Sequence, residues 1–149
     1  MVAETSWRPE DTVVDRRFRY VNRLQVRFRD LDALGHANHV EYLTYVEHAR
    51  TLYFRDILAV AVPEDLGWVI ATVRCDYLAP LAFGDIVDVG WRLTRLGRSS
   101  ADFEFELTAT GRVVARGGGV IVHADPRAGR SVPMPDEMRC RAAEFDSID

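Results

Sequence analysis

The sequence predicts an α+β fold in which a curved antiparallel sheet wraps one long helix. The first observation is the order of the patterns: one strand, then a helix, then four long strands joined by short links. The second is the apolar arc of the helix, which at roughly 200° is too wide for a helix lying on a flat surface. The third is the alternation of apolar and polar residues in the later strands, which is typical of antiparallel neighbours.

Local signals set the boundaries of the first two elements. The first strand is predicted over residues 23–30, where apolar residues alternate with charged or polar neighbours. The helix is predicted from His39 to Leu58 and follows Asn38, whose side chain is a suitable N-cap. Glu41 lies three residues after Asn38, as in a capping box. The apolar arc of the helix consists of Tyr42, Leu43, Tyr45, Val46, Ala49, Leu52, Tyr53, Phe54 and Ile57.

Four further strands are predicted after the helix, with turn signals between them. They cover residues 69–77, 87–93, 101–109 and 113–123. In the first of these strands we expect one face to carry Val69, Ala71, Val73, Cys75 and Tyr77. The triplet Gly117–Gly119 in the last strand indicates a bulge or a close approach of neighbouring backbone, or else tolerance of glycine at a sheet edge.

The 149-residue chain is predicted to form one domain with two polar extensions. Residues 1–19 are charged and aperiodic and form an N-terminal arm, residues 20–135 form the domain, and residues 136–149 form a C-terminal tail. Hydrophobic residues make up 48% of the chain and charged residues 28%, which are ordinary values for a soluble globular protein.

The composition argues against several functional classes. A net charge of −4 disfavours general attraction to nucleic acid or to anionic membranes. No apolar run resembles a signal peptide or a membrane span. Cys75 and Cys140 are predicted to be free thiols in a reducing compartment, so a cytoplasmic protein is expected. All 19 basic residues are Arg, so guanidinium groups or backbone N–H groups must bind any phosphate of a ligand.

The densest cluster of polar side chains lies between the first strand and the helix. It contains Asp30, Asp32, His36, Asn38 and His39. A helix N-terminus supplies unpaired N–H groups that can polarise a carbonyl, while a nearby carboxylate can attack it or activate water. From the residues alone, however, an Asp in front of a helix is more often a cap or a dipole partner than a catalyst.

These residues resemble the hotdog thioesterases of the 4-hydroxybenzoyl-CoA thioesterase type. The family signature is D-x-D-x-x-G-H-x-N-x-x-x-Y, followed on the helix by an acidic residue and Ala-Arg. The matching segments are Arg27–Asn38 with Tyr42, Tyr45–Arg50, Asp76–Pro80 with Gly84 and Asp85, and Gly129–Pro135. The similarity therefore spans about residues 23–135.

The resemblance implies a hotdog fold, with a long central helix inside a sheet of about five strands. It also implies a homodimer, or a dimer of dimers, with active sites at the interface and hydrolysis of acyl-CoA or acyl-carrier-protein thioesters without a cofactor. Asp32 matches the catalytic carboxylate of the family, as nucleophile or general base. N–H groups near Asn38 and His39 match the place where the thioester carbonyl is polarised. Many relatives have Asn at the position of His39, which leaves its side-chain role open.

Six other residues are candidates for substrate contacts. They are His36, Tyr42, Trp68, Arg95, Arg98 and Arg130. His36 could act as an acid or base, although a hydrogen bond that fixes the loop is favoured. Tyr42 and Trp68 could line an acyl pocket, with core packing as the alternative for both. Comparable family positions carry basic residues that face CoA phosphates, and the three arginines could do the same; their alternative is a solvated surface charge.

Two further assignments concern a catalytic base on the helix and a metal site formed by histidines. Glu47 could be an alternative base, but Arg50 falls inside the apolar arc and needs an acidic partner there, so an i,i+3 ion pair between the two is favoured. His36, His39 and His48 suggest a metal site, but no carboxylate or thiol completes a set, so no metal is expected.

Two other functions remain open at this stage. A hotdog hydratase or dehydratase acting on hydroxyacyl thioesters would need an acid–base pair, for which His36 and Asp32 are available. A non-catalytic acyl-CoA binding module on the same scaffold is the second alternative, because fold alone does not establish activity.

Overall fold

The computed structural model describes residues 12–63 and 65–149 of the chain. The elements in chain order are β1 (Tyr20–Gln25), a 3-10 helix (Phe28–Asp30), α1 (His39–Asp56), β2 (Trp68–Tyr77), β3 (Ile86–Leu96), β4 (Ser100–Ala109), β5 (Arg112–Asp125), β6 (Arg130–Ser131) and α2 (Asp136–Asp146). Within the described residues these strands form one antiparallel sheet in the order β1-β3-β4-β5-β2, with the short β6 paired to β5. The predicted α+β architecture is thus confirmed, with six strands instead of five.

The central helix α1 has 18 residues and ends at Asp56, two residues before the predicted boundary. Asn38 is its N-cap, as predicted. The residues that α1 buries are Tyr42, Tyr45, Val46, Ala49, Tyr53 and Phe54. They meet the apolar residues of β3 and β4, among which Trp91 lies 4.7 Å from Tyr53, measured between ring centroids. The wide apolar arc is therefore covered by the curved sheet.

The first strand is shorter than its alternation indicated. β1 ends at Gln25, and the 3-10 helix replaces the rest of the predicted segment 23–30. The Asp30 carboxylate accepts a hydrogen bond from the backbone N–H of Arg27, and this local contact favours a turn over an extended strand. Phe28, expected on the inner face of a strand, is 77% exposed.

Strand β2 forms one edge of the sheet and does not keep a single face throughout. Its register with β5 shifts between Ile70 and Thr72, and a bulge of this kind reverses the alternation of side chains. Trp68 is buried before the bulge and Cys75 is half-buried after it, whereas Val69 is exposed. The prediction of one continuous face from Val69 onward is therefore wrong.

The three glycines of β5 are explained by close approach of backbone, not by an edge position. β5 lies between β4 and β2, so the triplet Gly117–Gly119 has a neighbouring strand on both sides. A Cβ atom at Gly117 would collide with the carbonyl oxygen of Arg74, and one at Gly119 with that of Thr72. Any larger residue would push these strands apart.

The two ends of the described chain pack onto the domain. In the N-terminal arm, of which residues 1–11 lie outside the described part, Val14 and Phe18 are buried against Gly90. The segment predicted as a tail contains the helix α2, whose Asp146 is buried and accepts hydrogen bonds from Tyr53 and Leu93. Ala142 is also buried, so α2 attaches through both apolar and polar contacts, and the polar contacts of Asp146 left no signal in the sequence. Both cysteines are free thiols, as expected.

Candidate active site

A surface cleft of about 400 Å³ opens where the loop after β1 meets the start of α1 and the end of β2. Its lining includes Asp32, His36, His39, Tyr42 and Tyr77. The polar cluster singled out in the sequence thus borders an actual concavity. The lining also includes the apolar side chain of Leu34 and the Leu78–Pro80 segment.

The loop that carries Asp32 is held by its own backbone. The N–H of Asp32 donates to the carbonyl oxygen of His36 at 3.0 Å, and the N–H of Gly35 donates to the carbonyl oxygen of Asp32 at 3.0 Å. Gly35 has φ +80°, a conformation that favours glycine, which accounts for this residue in the signature. The loop is therefore held by the main-chain carbonyl of His36, and the imidazole, expected to make the fixing hydrogen bond, is exposed and makes none within the described residues.

One oxygen of the Asp32 carboxylate is fixed and the other is available. Oδ1 accepts a hydrogen bond of 2.8 Å from the N–H of Leu34. Oδ2 has no hydrogen-bond partner among residues 12–63 and 65–149. The side chain is partly buried at the mouth of the cleft. It is thus oriented by one oxygen while the second is free to meet a ligand.

The first turn of α1 offers one unpaired donor to the same cleft. The Asn38 side chain accepts a 3.0 Å hydrogen bond from the N–H of Val40, and the Asn38 carbonyl oxygen accepts one of 2.9 Å from Glu41. The N–H of Asn38 itself donates to the carbonyl oxygen of Asp30. Within the described chain, the N–H of His39 has no acceptor. Asn38 therefore acts as a cap, and the N–H of His39, at the start of the helix, is left without an acceptor from the described part of the chain.

Asp30 lies behind the cleft and has a structural role. It is 2% exposed and accepts hydrogen bonds from the Arg27 guanidinium at 2.8 Å and from the Tyr45 hydroxyl at 2.8 Å. Burial alone would raise the pKa of Asp30, but the hydrogen bonds from Arg27 and Tyr45 outweigh it and hold that pKa below its ordinary value. Asp30 is thus a paired carboxylate that links the loop to α1, in agreement with the structural role expected for it.

An aromatic wall closes the cleft on the side of β2. The Tyr42 hydroxyl donates to the carbonyl oxygen of Ala79 at 2.9 Å, and burial raises the pKa of Tyr42. The ring of Tyr77 lies edge-on to Tyr42 at 5.2 Å and to His39 at 6.0 Å. Tyr77 was not among the predicted site residues, although the segment Asp76–Pro80 was a marker of the family. That marker was the signal that could have identified it.

The remaining predicted substrate contacts lie away from the cleft of the same chain. Trp68 is buried, stacked on Phe54 at 5.8 Å, at the opposite end of β2 from Tyr77. Arg95, Arg98 and Arg130 are exposed at that same far end. Arg95 forms an ion pair of 3.0 Å with Asp102. Ten residues of extended strand span roughly 30 Å, so one chain does not place these side chains beside Asp32.

The structure confirms the predicted pair of Glu47 and Arg50, although the two groups are 3.9 Å apart. Glu47 is exposed on α1 and does not line the cleft. No group of three or more His, Cys, Asp or Glu side chains that could hold a metal ion occurs among the residues the structure describes. Nor does that part of the chain contain a helix long and apolar enough to cross a membrane.

Comparison with known proteins agrees with this geometry. The family model of the thioesterase-like superfamily matches residues 26–141, which include the cleft, the helix α1 and every strand after β1. The chain belongs to this superfamily. The resemblance to the hotdog acyl-CoA thioesterases is thereby confirmed.

Individual relatives cover most of the domain. A thioesterase from Thermus thermophilus, solved with coenzyme A and Zn, is 40% identical with a TM-score of 0.79, and the match covers 89% of this chain and 98% of that one. Bacillus subtilis YsmA, an uncharacterized protein, is 26% identical over 121 residues, covering 80% of this chain and 82% of the relative. The acyl-CoA thioesterase YbgC of Helicobacter pylori is 27% identical over 74 residues, covering 50% of this chain and 56% of the relative.

Proposed function

We propose that this thioesterase hydrolyses acyl-CoA in the cleft between Asp32 and the N-terminus of α1. The observation that carries the proposal is that an oriented carboxylate with one free oxygen and an unpaired backbone N–H border the same cavity. Acyl transfer requires these two groups together, because one activates the attacking atom and the other stabilises the oxyanion.

The roles of the two groups follow from their chemistry. The N–H of His39 donates to the thioester carbonyl oxygen and stabilises the negative charge that develops on it. Asp32 either takes a proton from water as the water attacks the carbonyl carbon, or attacks that carbon itself to form an anhydride that water then hydrolyses. In both cases the C–S bond breaks, and the CoA thiolate leaves and is protonated. The products are a free acid and free CoA.

Two observations support a CoA thioester as the proposed substrate: the ligands and activities named for the relatives, and the position of two arginines. The Thermus thermophilus thioesterase was solved with coenzyme A, and YbgC is an acyl-CoA thioesterase. Arg98 and Arg130 are exposed and near one another in the fold, since the Arg98 carbonyl oxygen accepts from Met134, just after β6. Guanidinium groups suit bidentate contacts with phosphate, and we assign these two to the phosphates of CoA.

The proposed active unit is a homodimer. β2 is an edge strand whose exposed apolar residues include Val69, Val73 and Tyr77, and exposed edges of this kind are normally covered in soluble proteins. The arginines lie roughly 30 Å along β2 from the cleft of their own chain, so a second copy running antiparallel would bring its arginines toward Asp32. One substrate would then contact both subunits.

A panel of acyl-CoA thioesters tests the proposal. Aromatic and aliphatic thioesters of increasing length are incubated with the protein, and the released thiol is trapped with a chromogenic disulfide. We expect thiol release with at least one class. Consumption of a crotonyl thioester by hydration without thiol release would favour a hydratase, and tight binding without release of thiol from any substrate would contradict hydrolysis.

A further inference from the structure

The stripe of α1 that faces β2 contains a cation in an otherwise apolar setting. At 100° per residue, Arg50 lies on the same side of the helix as His39 and Phe54. His39 meets Tyr77 at one end of β2, and Phe54 stacks on Trp68 at the other end. Arg50 is therefore located between these two points of contact.

The pairing of Arg50 inside its own chain is incomplete. Its side chain is 15% exposed, and burial lowers its pKa. The guanidinium makes no hydrogen bond within the described residues, and its ion-pair partner there is Glu47 at 3.9 Å. Glu47 itself is 70% exposed. A guanidinium has five N–H donors, and a mostly buried one is costly unless a carboxylate in good geometry accepts from it.

The open side of this pair faces the middle of the edge strand. Glu47 and Arg50 lie about midway along α1 between the two contacts with β2, and therefore level with the centre of that strand. Val73, at that level, is 43% exposed, and β2 has no neighbour on its outer side in the described sheet. The charged pair and the uncovered strand edge thus form one continuous surface.

We infer that, in the dimer of the proposed function, Glu47 of each copy pairs with Arg50 of the partner subunit across this surface. A two-fold axis through the centre of β2 makes the two strand edges antiparallel and passes beside Glu47 and Arg50. In such an isologous interface residue i contacts j while j contacts i, so one weak pair within each chain becomes two complementary pairs between chains. The inference rests on the dimer of the proposed function and names the charges that hold it.

Mixing two charge variants tests the pairing directly. Glu47→Arg leaves only cations in this surface, and Arg50→Glu leaves only carboxylates. Each variant alone should dissociate at least about tenfold more readily than the wild type, because like charges meet across the axis. In an equimolar mixture, a dimer of one chain of each variant places arginine opposite glutamate at both cross-subunit contacts. Within each chain, by contrast, the two side chains still have the same charge. Sedimentation equilibrium should then show a heterodimer with a dissociation constant within about threefold of the wild-type value.

Other outcomes decide against the inference. If both variants dimerise as tightly as the wild type, or if mixing restores nothing, the pair acts within one chain only. Arg55→Glu is the matched control, since Arg55 is exposed, is paired with Asp56 and lies roughly 140° around α1 from Arg50, so it should not affect dimerisation. If Arg50→Glu does not fold, Glu47→Arg is mixed with Arg50→Gln instead. The mixture should then dimerise more tightly than either variant alone, because Arg50 of the first chain still meets Glu47 of the second, and a mixture no tighter than Arg50→Gln alone would contradict the pairing. Thioester turnover is measured in parallel, so a monomeric but active protein refutes the interface without refuting hydrolysis.

Discussion

The Tyr45 hydroxyl donates a hydrogen bond of 2.8 Å to Oδ2 of Asp30, and this buried contact joins α1 to the turn before the loop that carries Asp32. The Asp30 carboxylate also accepts a hydrogen bond from the Arg27 guanidinium. The main-chain carbonyl oxygen of Asp30 accepts one from the N–H of Asn38. The free N–H of His39 and the carboxylate of Asp32 are therefore positioned relative to one another through Asp30. Asp30 thus has a structural role, which differs from the catalytic role proposed for Asp32.

Replacing Asp30 by Asn should lower the free energy of unfolding at neutral pH by about 1–3 kcal/mol, since the acceptor of a charge-assisted hydrogen bond is lost. The folded-state pKa of Asp30 lies below its ordinary value, so its contribution is complete above roughly pH 4 and is lost as pH falls through the lower folded pKa. Urea denaturation of both proteins between pH 7 and pH 3 should show the difference shrinking in acid. A difference that is constant with pH would contradict the ionised pairing.

Asp146 should respond to pH in the opposite direction. Burial raises its pKa despite hydrogen bonds from the Tyr53 hydroxyl and the N–H of Leu93, so the folded state holds this proton more tightly than the unfolded chain does. Its contribution is complete below roughly pH 4 and is lost as pH rises through the folded pKa. Relative to Asp146→Asn, the wild type should therefore gain thermal stability as pH falls from 7 toward 4. If the wild type instead lost thermal stability relative to Asp146→Asn as pH fell, the carboxylate would be stabilised in its ionised form.

Gly117→Ala tests the close packing of β5 against its neighbours. The added Cβ would collide with the carbonyl oxygen of Arg74 and lie 2.7 Å from Cζ of Phe105. Overpacking of this kind costs about 1–3 kcal/mol, and more where backbone must shift. Arg116→Ala, at an exposed position of the same strand, should change the free energy of unfolding by less than about 0.5 kcal/mol. Similar thermal stabilities for the two variants would contradict the account of the glycines.

Patterns that depend on burial of apolar residues were predicted well from the sequence. The alternation in β4 and the apolar arc of α1 gave the sheet, the wrapped helix and the position of the cleft at the Asn38 cap. Polar contacts between residues that are far apart in the sequence could not be predicted. α2 was missed because Asp146 attaches it to Tyr53, which is 93 residues away in the chain. The 3-10 helix was missed because the side chain of Asp30 competes with strand formation, and the bulge in β2 because one inserted residue has no compositional signal.

Arg98→Ala and Arg130→Ala test the proposed phosphate contacts. Each should raise KM for acyl-CoA with a smaller change in kcat, as expected when binding is lost equally in the ground and transition states. The effect should disappear with a thioester that ends at pantetheine, because that substrate lacks the nucleotide phosphates. Arg127→Ala, an exposed arginine between β5 and β6, provides the comparison. Equal losses on both substrates would remove the phosphate assignment.

The central claim is that Asp32 carries out the chemistry and does not merely hold the loop. Asp32→Asn retains the size of the side chain and can retain the hydrogen bond from Leu34, but it removes the charge that attacks or accepts a proton. Asn forms such local turns and caps about as well as Asp, so a structural role predicts little change.

Steady-state hydrolysis of the best acyl-CoA substrate by Asp32→Asn is the most direct measurement, with folding checked by circular dichroism. General-base catalysis alone contributes ~10²–10⁴-fold, so kcat should fall at least about a hundredfold while KM changes little. A correctly folded Asp32→Asn protein that retains more than about a tenth of the wild-type kcat would contradict the mechanism.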